Sequence, residues 1–422
     1  MGMTRLSDLA KRLVSVAVVA AALAHAQTSA PPGKVAYVLP TLLERGIDAA
    51  DLFLRPLLRA TIAPNWVSLN ASVATQLSNL PIPSPASSFS VYIDPSSGAL
   101  LRSIQSHGPV LTERAETVGK GRFFFAVTYQ RFYFDHLDNV NLGGLDVAVP
   151  LADPNATAST PTQSVVSLSG SISMSINQVT AHFTAGLTPW LDLSYAFPIV
   201  SSSLSVRGGG VLRNAVSGLE LANLPTQLIE ASATGLGDGV LRAKARLFSS
   251  GKFGIALATD VRLPTGDELN YLGAGAYGIK PFLIVSYRGR RVSPHLNAGY
   301  QWNGASFLAS QYANAKRNLP GQIFYAAGFD AGLFPKLTVS FDYLDQVIIK
   351  GQRALLTPLN SGIGTLNVLS FDDRTRHEIN AAVGLKAQIQ QHVVATGNLL
   401  FGLNRAGLRA RVVPMVGLSY VF

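Results

Sequence analysis

The sequence predicts an all-β fold: a transmembrane, antiparallel, up-and-down β-barrel of about 12 strands, preceded by a partly helical N-terminal segment that plugs the lumen or sits in the periplasm. Three observations point there. From Arg122 onward, segment after segment alternates apolar and polar residues, a period of two that belongs to strands and not to helices. The links between these segments alternate short and long, as they do when every second link lies on the same side of a membrane. Finally, the chain is 48% hydrophobic and 14% charged, with a mean hydropathy of +0.26. Beyond its N-terminus it nevertheless lacks the run of about 18 apolar residues that a spanning helix needs. Such a chain can satisfy its backbone in lipid by closing strands into a barrel.

Residues 1–26 read as an export signal. Arg5, Lys11 and Arg12 form a basic start, Leu13 to Leu23 an apolar stretch, and Ala24-His25-Ala26 a small-residue cleavage site. The apolar stretch is shorter than the roughly 20 residues a bilayer requires, so a cleaved signal and a bacterial outer-membrane location are expected. Residues 27–121 break the strand pattern. Leu43, Ile47, Ala50, Leu54 and Leu57 recur at helical spacing, with Pro56 as a kink or stop. Leu69, Val73, Leu77 and Leu80 repeat that spacing, PIPSPASS at 81–88 is a linker, and a hairpin is expected around Asp94-Pro95. This segment could plug the lumen, sit in the periplasm or add two strands. The plug is preferred, because a bore of this size calls for control.

Residues 122–422 carry the barrel. Its strands are expected at Phe123–Phe134, Gln178–Leu187, Leu191–Ile199, Leu241–Phe248, Ile255–Leu263, Tyr277–Tyr287, Pro294–Asn303, Ile323–Phe334, Leu337–Tyr343, Glu378–Ile389, Val393–Leu403 and Arg411–Phe422. The first is too aromatic for its faces to be assigned. Long loops are expected at 135–164, 209–236, 264–276, 309–321 and 353–374, the first containing the low-complexity run VVSLSGSISMS. The last strand puts Val416, Leu418, Tyr420 and Phe422 on one face and ends on Phe422. It resembles the closing strand that the barrel assembly machinery of bacterial outer membranes reads.

The run LRAKARLF at 241–248 sets Arg242, Lys244 and Arg246 between Leu241, Ala243, Ala245 and Leu247. A cation on the lipid face costs about 2–4 kcal/mol at the bilayer midplane, so all three are expected in the lumen. An odd-numbered turn at Ser250-Gly251 would set Asp238 opposite Arg262 and Arg242 diagonal to Asp260. The polar parity of the other strands adds His182, Asp192, His295, Asn297, Gln301, Asp330, Asp342, Glu378, Asn380 and Lys386 to the expected substrate path. The basic ladder either steers anions or braces and hydrates the wall. Asp267, Glu268 and Asn270 are a weak candidate for a divalent cation, so no metal or cofactor is expected.

There is no cysteine, which excludes disulfides and thiolate chemistry. The net charge is +10, but the cations are scattered and lack interleaved stacking aromatics, so no nucleic-acid partner is expected. None of the seven histidines sits in a His–Ser or HExxH arrangement, so no enzyme is expected. The stretch from Gly235 to Asp267 opens on Gly235-Leu236-Gly237-Asp238, runs through the basic strand and closes the next on Leu263-Pro264-Thr265-Gly266-Asp267. With the turn Gly186 to Trp190 and the lead-in Gly119 to Phe123, it resembles the outer-membrane family named for the MetA pathway of phenol degradation. More loosely, the layout is similar to FadL-type channels, whose fourteen strands would be matched only if the hairpin at 88–105 joined the wall. The resemblance implies a passive channel for small hydrophobic or aromatic compounds, with outer-membrane lipid and a small-molecule substrate as partners. Alternatives are a water-filled diffusion pore with mild anion preference, or a surface barrel whose loops bind a partner.

Overall fold

The computed structural model describes residues 33–38, 41–42, 67–83, 91–93, 100–102, 107–150, 164–214, 217–310, 316–334, 336–361 and 364–422. The expected export signal, the helical pattern at 43–57 and most of the linker at 81–88 lie outside these residues.

Twelve antiparallel strands close into a barrel: β1 Phe123–Leu137, β2 Ser164–Gly186, β3 Leu191–Asn214, β4 Gly239–Ser250, β5 Phe253–Leu263, β6 Gly278–Tyr287, β7 Val292–Asn303, β8 Gln322–Phe334, β9 Leu337–Ser361, β10 Gly364–Gln390, β11 Val393–Gly402 and β12 Val412–Val421. Each pairs with the next, and β12 returns to β1 through Met415↔Gln130 to Val421↔Phe124, which leaves no open edge in the wall. The wall is therefore an up-and-down barrel of the outer-membrane type. The hairpin Val91–Ile93 with Leu100–Arg102 pairs with itself and stays out of the wall, so the fourteen-strand match does not arise.

Register rows show what the alternation accomplishes. Leu191, Ala245, Leu257, Leu283, Ala298 and Tyr325 pair across β3 to β8 and face out. One residue along, Asp192, Lys244, Ala258, Phe282, Gly299 and Phe324 form a row facing in. In β1 the ambiguity resolves: Phe124, Ala126, Thr128, Gln130, Phe132 and Phe134 are buried inside, while Phe123, Tyr129 and Tyr133 are exposed outside.

Two sequence expectations are corrected. The first concerns register in the β4–β5 hairpin. The turn is two residues long, with Gly251 at φ +56°, and a bulge between Ile255 and Ala256 leaves Leu247 unpaired. Asp260 consequently lies directly opposite Arg242, and Arg262 opposite Val240. The second concerns the long loops. β2, β3, β9 and β10 run 23, 24, 25 and 27 residues, well past the roughly 9–11 that cross a bilayer. VVSLSGSISMS is part of β2, Glu220–Leu236 forms a strand on β3, and most of 353–374 is a β9–β10 hairpin. Outside the membrane both faces of these strands meet water or each other. The strict lipid–lumen alternation is therefore not imposed there, and the strand signal weakens.

Residues 67–83 and 107–118 lie inside the bore. A helix at 67–77 buries Leu69, Val73 and Leu77 against inward residues such as Phe132, Phe134 and Met174. At the long-loop end Val35 and Val38 are buried in the same cluster. The core of this protein is thus the filled lumen.

Candidate functional site

The segment 107–118 crosses the bore near the short-turn end, and the wall's polar parity binds it mainly by its backbone. Thr338 Oγ1 accepts from the His107 amide at 2.9 Å, Asn297 Oδ1 from the Glu113 amide at 2.7 Å, Ser286 Oγ from the Ala115 amide at 3.0 Å and Asp192 Oδ2 from the Val118 amide at 3.0 Å. Lys386 Nζ donates to the carbonyls of His107 and Pro109, at 3.3 and 2.6 Å. An extended segment without a strand partner among the described residues has backbone donors and acceptors to satisfy; inward side chains of β3, β6, β7 and β9 accept from its amides, and Lys386 of β10 donates to its carbonyls.

Glu113 sits at the centre. One carboxylate oxygen meets Arg242 Nη1 at 2.5 Å and the other meets Lys244 Nζ at 3.1 Å. Arg242 also holds Asp260 through two bonds of 2.6 and 2.8 Å, and Lys280 Nζ reaches Asp260 at 3.3 Å. Lys244 lies 4.0 Å from Asp192. Bidentate arginine–carboxylate geometry of this kind is both strong and directional. Further round the wall, Thr112 Oγ1 donates to Asp342 Oδ1 at 2.7 Å. His295 Nε2 lies 2.7 Å from Thr112 Oγ1 and 2.9 Å from Asp342. Arg114 reaches Asp330 at 3.6 Å and Glu116 at 3.4 Å. Burial works to raise the Glu116 carboxyl, but the charge of Arg114, helped by Arg288 and Lys244, holds it below its ordinary value.

Above this layer, Arg262 donates to the Ser78 carbonyl at 2.6 Å and to Asn303 Oδ1 at 2.8 Å, and lies 3.9 Å from Asp238. Gln301 and Gln322 also bond Ser78, so the end of the 67–77 helix is pinned to β5, β7 and β8. The link 264–276 folds inward. Its Tyr271 and Leu272 are buried, Tyr271 donates to Asn70 Oδ1 at 2.5 Å, and the Asn270 carbonyl accepts from Ser202. Asp267 caps the short helix Glu268–Asn270 and pairs with Lys34 at 2.6 Å. Between the two layers lies a cavity of about 150 Å³, lined by Leu77, Asn79, Leu111, Glu113, Arg242, Asp260, Lys280, Phe282 and Phe324 among others. The two phenyl rings meet edge-on at 5.6 Å, and Lys280 Nζ lies 5.0 Å from the Phe324 centroid. Gly299 stands between them in the row; a Cβ there would come 2.6 Å from Phe282 Cβ.

Most of the expected residues gather in these layers. Arg242, Lys244, Asp260, Asp192, His295, Asn297, Asp330, Asp342 and Lys386 face the 107–118 segment or its ion pairs, and Arg262, Asp238 and Gln301 the end of the helix. His182 is inward but bonds Thr128 at 3.2 Å, away from Asp192. Arg246 stands at the rim, one residue past the end of the β3–β4 pairing at Leu191↔Ala245, and donates to the Pro189 carbonyl at 2.9 Å. Glu378 and Asn380 form a separate group near the long-loop end, with Arg376 at 3.1 Å from Glu378 and Arg409 at 2.9 Å from Asn380. Sequence reasoning missed Glu113, Arg114, Lys280, Phe282 and Phe324. A signal existed for Lys280, the lone cation of the most apolar strand, which lipid would not tolerate. Glu113 and Arg114 stand in the charged run TERAE just before the first strand.

A family model described as "Putative MetA-pathway of phenol degradation" matches residues 107–327. Among solved structures, the chain is similar to an outer membrane channel from Pseudomonas putida F1, at 13% identity over 78% of this chain and 100% of that one, with a TM-score of 0.44. It is also similar to a Pseudomonas aeruginosa FadL homologue, at 11% identity over 73% and 91% with a TM-score of 0.34. A third is the KdgM porin in complex with disordered oligogalacturonate, at 8% identity over 70% and 99% with a TM-score of 0.34. No curated protein matches the chain.

Proposed function

Because the chain belongs to the MetA-pathway family of phenol degradation, we propose that it is an outer-membrane channel for passive uptake of small hydrophobic or aromatic compounds, reached after export and removal of residues 1–26. Residues 27–121 act as a plug that must shift for passage. The observation that carries this reading is the cavity between the two inserted layers, where the Phe282 and Phe324 rings, Leu77 and Leu111 stand beside a few convergent polar groups. That mixture suits small, partly apolar ligands. The segments crossing the bore favour a gated channel over a permanently open diffusion pore, and the pairing of Arg242 with Asp260 and Glu113 argues against a free anion ladder. The outer rows of leucine and aromatic residues make lipid the expected surroundings, and the terminal Phe422 strand the expected signal to the assembly machinery.

Purified protein in liposomes should speed entry of an aromatic solute that crosses lipid slowly, and deletion of 27–110 should increase that flux. Flux equal to that of empty liposomes for both proteins would sink the proposal.

A further inference from the structure

Three cations and three carboxylates make one ion-paired network on the inner wall. Arg242 holds Asp260 and Glu113, Lys244 holds Glu113 and lies within reach of Asp192, and Lys280 holds Asp260. Five of these six groups belong to wall strands β3 to β6. The sixth, Glu113, belongs to the inserted segment. Without it the wall keeps three cations and two carboxylates, a single uncompensated positive charge in a buried place. Buried charges are strongly disfavoured unless paired, so the wall by itself is built to receive one monovalent anion of carboxylate size.

We infer that Arg242 and Lys244 form a carboxylate subsite, and that Glu113 occupies it as an internal stand-in for the ligand. This rests on the channel reading above and narrows it: the compounds admitted would carry one carboxylate on a small apolar body. Glu113 and Arg242 both line the central cavity with Phe282 and Phe324. A ligand lodged there brings its apolar part against the rings and its carboxylate against Arg242. Asn79, 7% exposed, also lines the cavity, and its Nδ2 has no hydrogen-bond partner among the described residues, leaving a donor available to the same ligand. Exchange is one carboxylate for another: the ligand takes Arg242 Nη1 and Lys244 Nζ, Glu113 is released, and the 107–118 segment loses its central anchor. Occupancy and opening are thereby coupled, as a ligand that prefers one of two states requires. A neutral ligand of the same shape fills the cavity without displacing Glu113.

The test uses the full chain in detergent, with benzoate and its neutral isostere benzamide as probes in calorimetry. Glu113→Gln should bind benzoate about tenfold or more tightly than the unaltered protein, the scale of a charge-assisted contact freed from internal competition, with benzamide unchanged. Adding Lys244→Gln should remove the gain. Equal affinities for benzoate and benzamide in Glu113→Gln would overturn the subsite. A second measurement needs no variant: benzoate, and not benzamide, should accelerate amide hydrogen exchange across 107–118 of the unaltered protein, and identical exchange with both probes would refute the displacement. Carboxylate-blind binding with aromatic flux intact would remove the subsite alone, whereas absent flux would remove the channel.

Discussion

Moving one cation by one residue tests the lipid–lumen assignment directly. Lys244→Ala with Ala245→Lys preserves composition and shifts the ammonium from the inner row to the outer. From Ala245 to the strand end at Ser250, a rise of about 3.3 Å per residue and a tilt of about 40° give a height of about 13 Å above the turn. That is close to the middle of the ~25 Å apolar band. Ala245→Lys alone should therefore cost about 2–4 kcal/mol. Lys244→Ala removes contacts to Glu113 at 3.1 Å and Asp192 at 4.0 Å. Arg242 still holds Glu113, so the cost belongs at the lower end of the range for breaking a buried pair, about 3 kcal/mol. The side chains point to opposite faces and share no partner, so the swap should cost about 5–7 kcal/mol, near the sum. Equilibrium urea unfolding in phospholipid vesicles can follow Trp190, exposed in the β2–β3 turn, and Trp302, exposed on β7. A cost below about 1 kcal/mol for Ala245→Lys would refute the outward face. A swap no worse than its milder half would refute independent lipid and lumen terms.

The Lys34–Asp267 contact at the long-loop end should respond to acid. Partial burial works to raise the Asp267 carboxyl, but the hydrogen bond and charge of Lys34 override it and hold it below the ordinary aspartate value. A depressed carboxylate contributes fully above its unfolded pKa and loses that contribution as pH falls through its folded one. Anisotropy of a fluorophore at position 33 should thus stay flat from about pH 8 to 5 and fall only below about pH 4, with Asp267→Asn giving the acid value at neutral pH; a fall already near pH 6 would contradict this. Tyr271→Phe leaves Asn70 Oδ1 without its 2.5 Å donor, costing about 1–3 kcal/mol in attachment of link 264–276 to the helix. Single-channel recordings should show more frequent openings, and an unchanged record would exclude this link from closure. Gly186→Ala would put a Cβ 1.9 Å from the Gly119 carbonyl oxygen, where the Gly121 amide donates to Gly186. A loss of about 1–3 kcal/mol in the same urea assay is expected, and an unchanged midpoint would show that the junction of plug and wall can relax.

The legible part of the fold is the part the bilayer constrains. All twelve wall strands could be read from alternation, because each residue between the short turns faces either lipid or the bore and the two environments sort residue types strongly. Past the membrane that sorting stops, and β2, β3, β9 and β10 continued where loops were expected. The candidate site divides the same way. That Arg242, Lys244, Asp260, His295 and Asp342 point inward follows from parity alone. That Asp260 lies opposite Arg242 depended on a two-residue turn and a bulge at Leu247, which no period of two encodes. Glu113 and Ser78 escaped notice because the arginines that hold them, Arg242 and Arg262, lie more than a hundred residues away along the chain.

By itself the sequence determined which face of each strand after the first meets lipid, since a misplaced cation costs kilocalories at one position whatever the rest of the chain does. Only the tertiary structure decided what fills the bore and which charges meet there. Ion pairing and packing depend on atoms brought within a few ångströms by closure of the whole barrel. The segment that supplies Glu113 is not a strand, so its place inside comes from the polar groups that the closed wall presents to it.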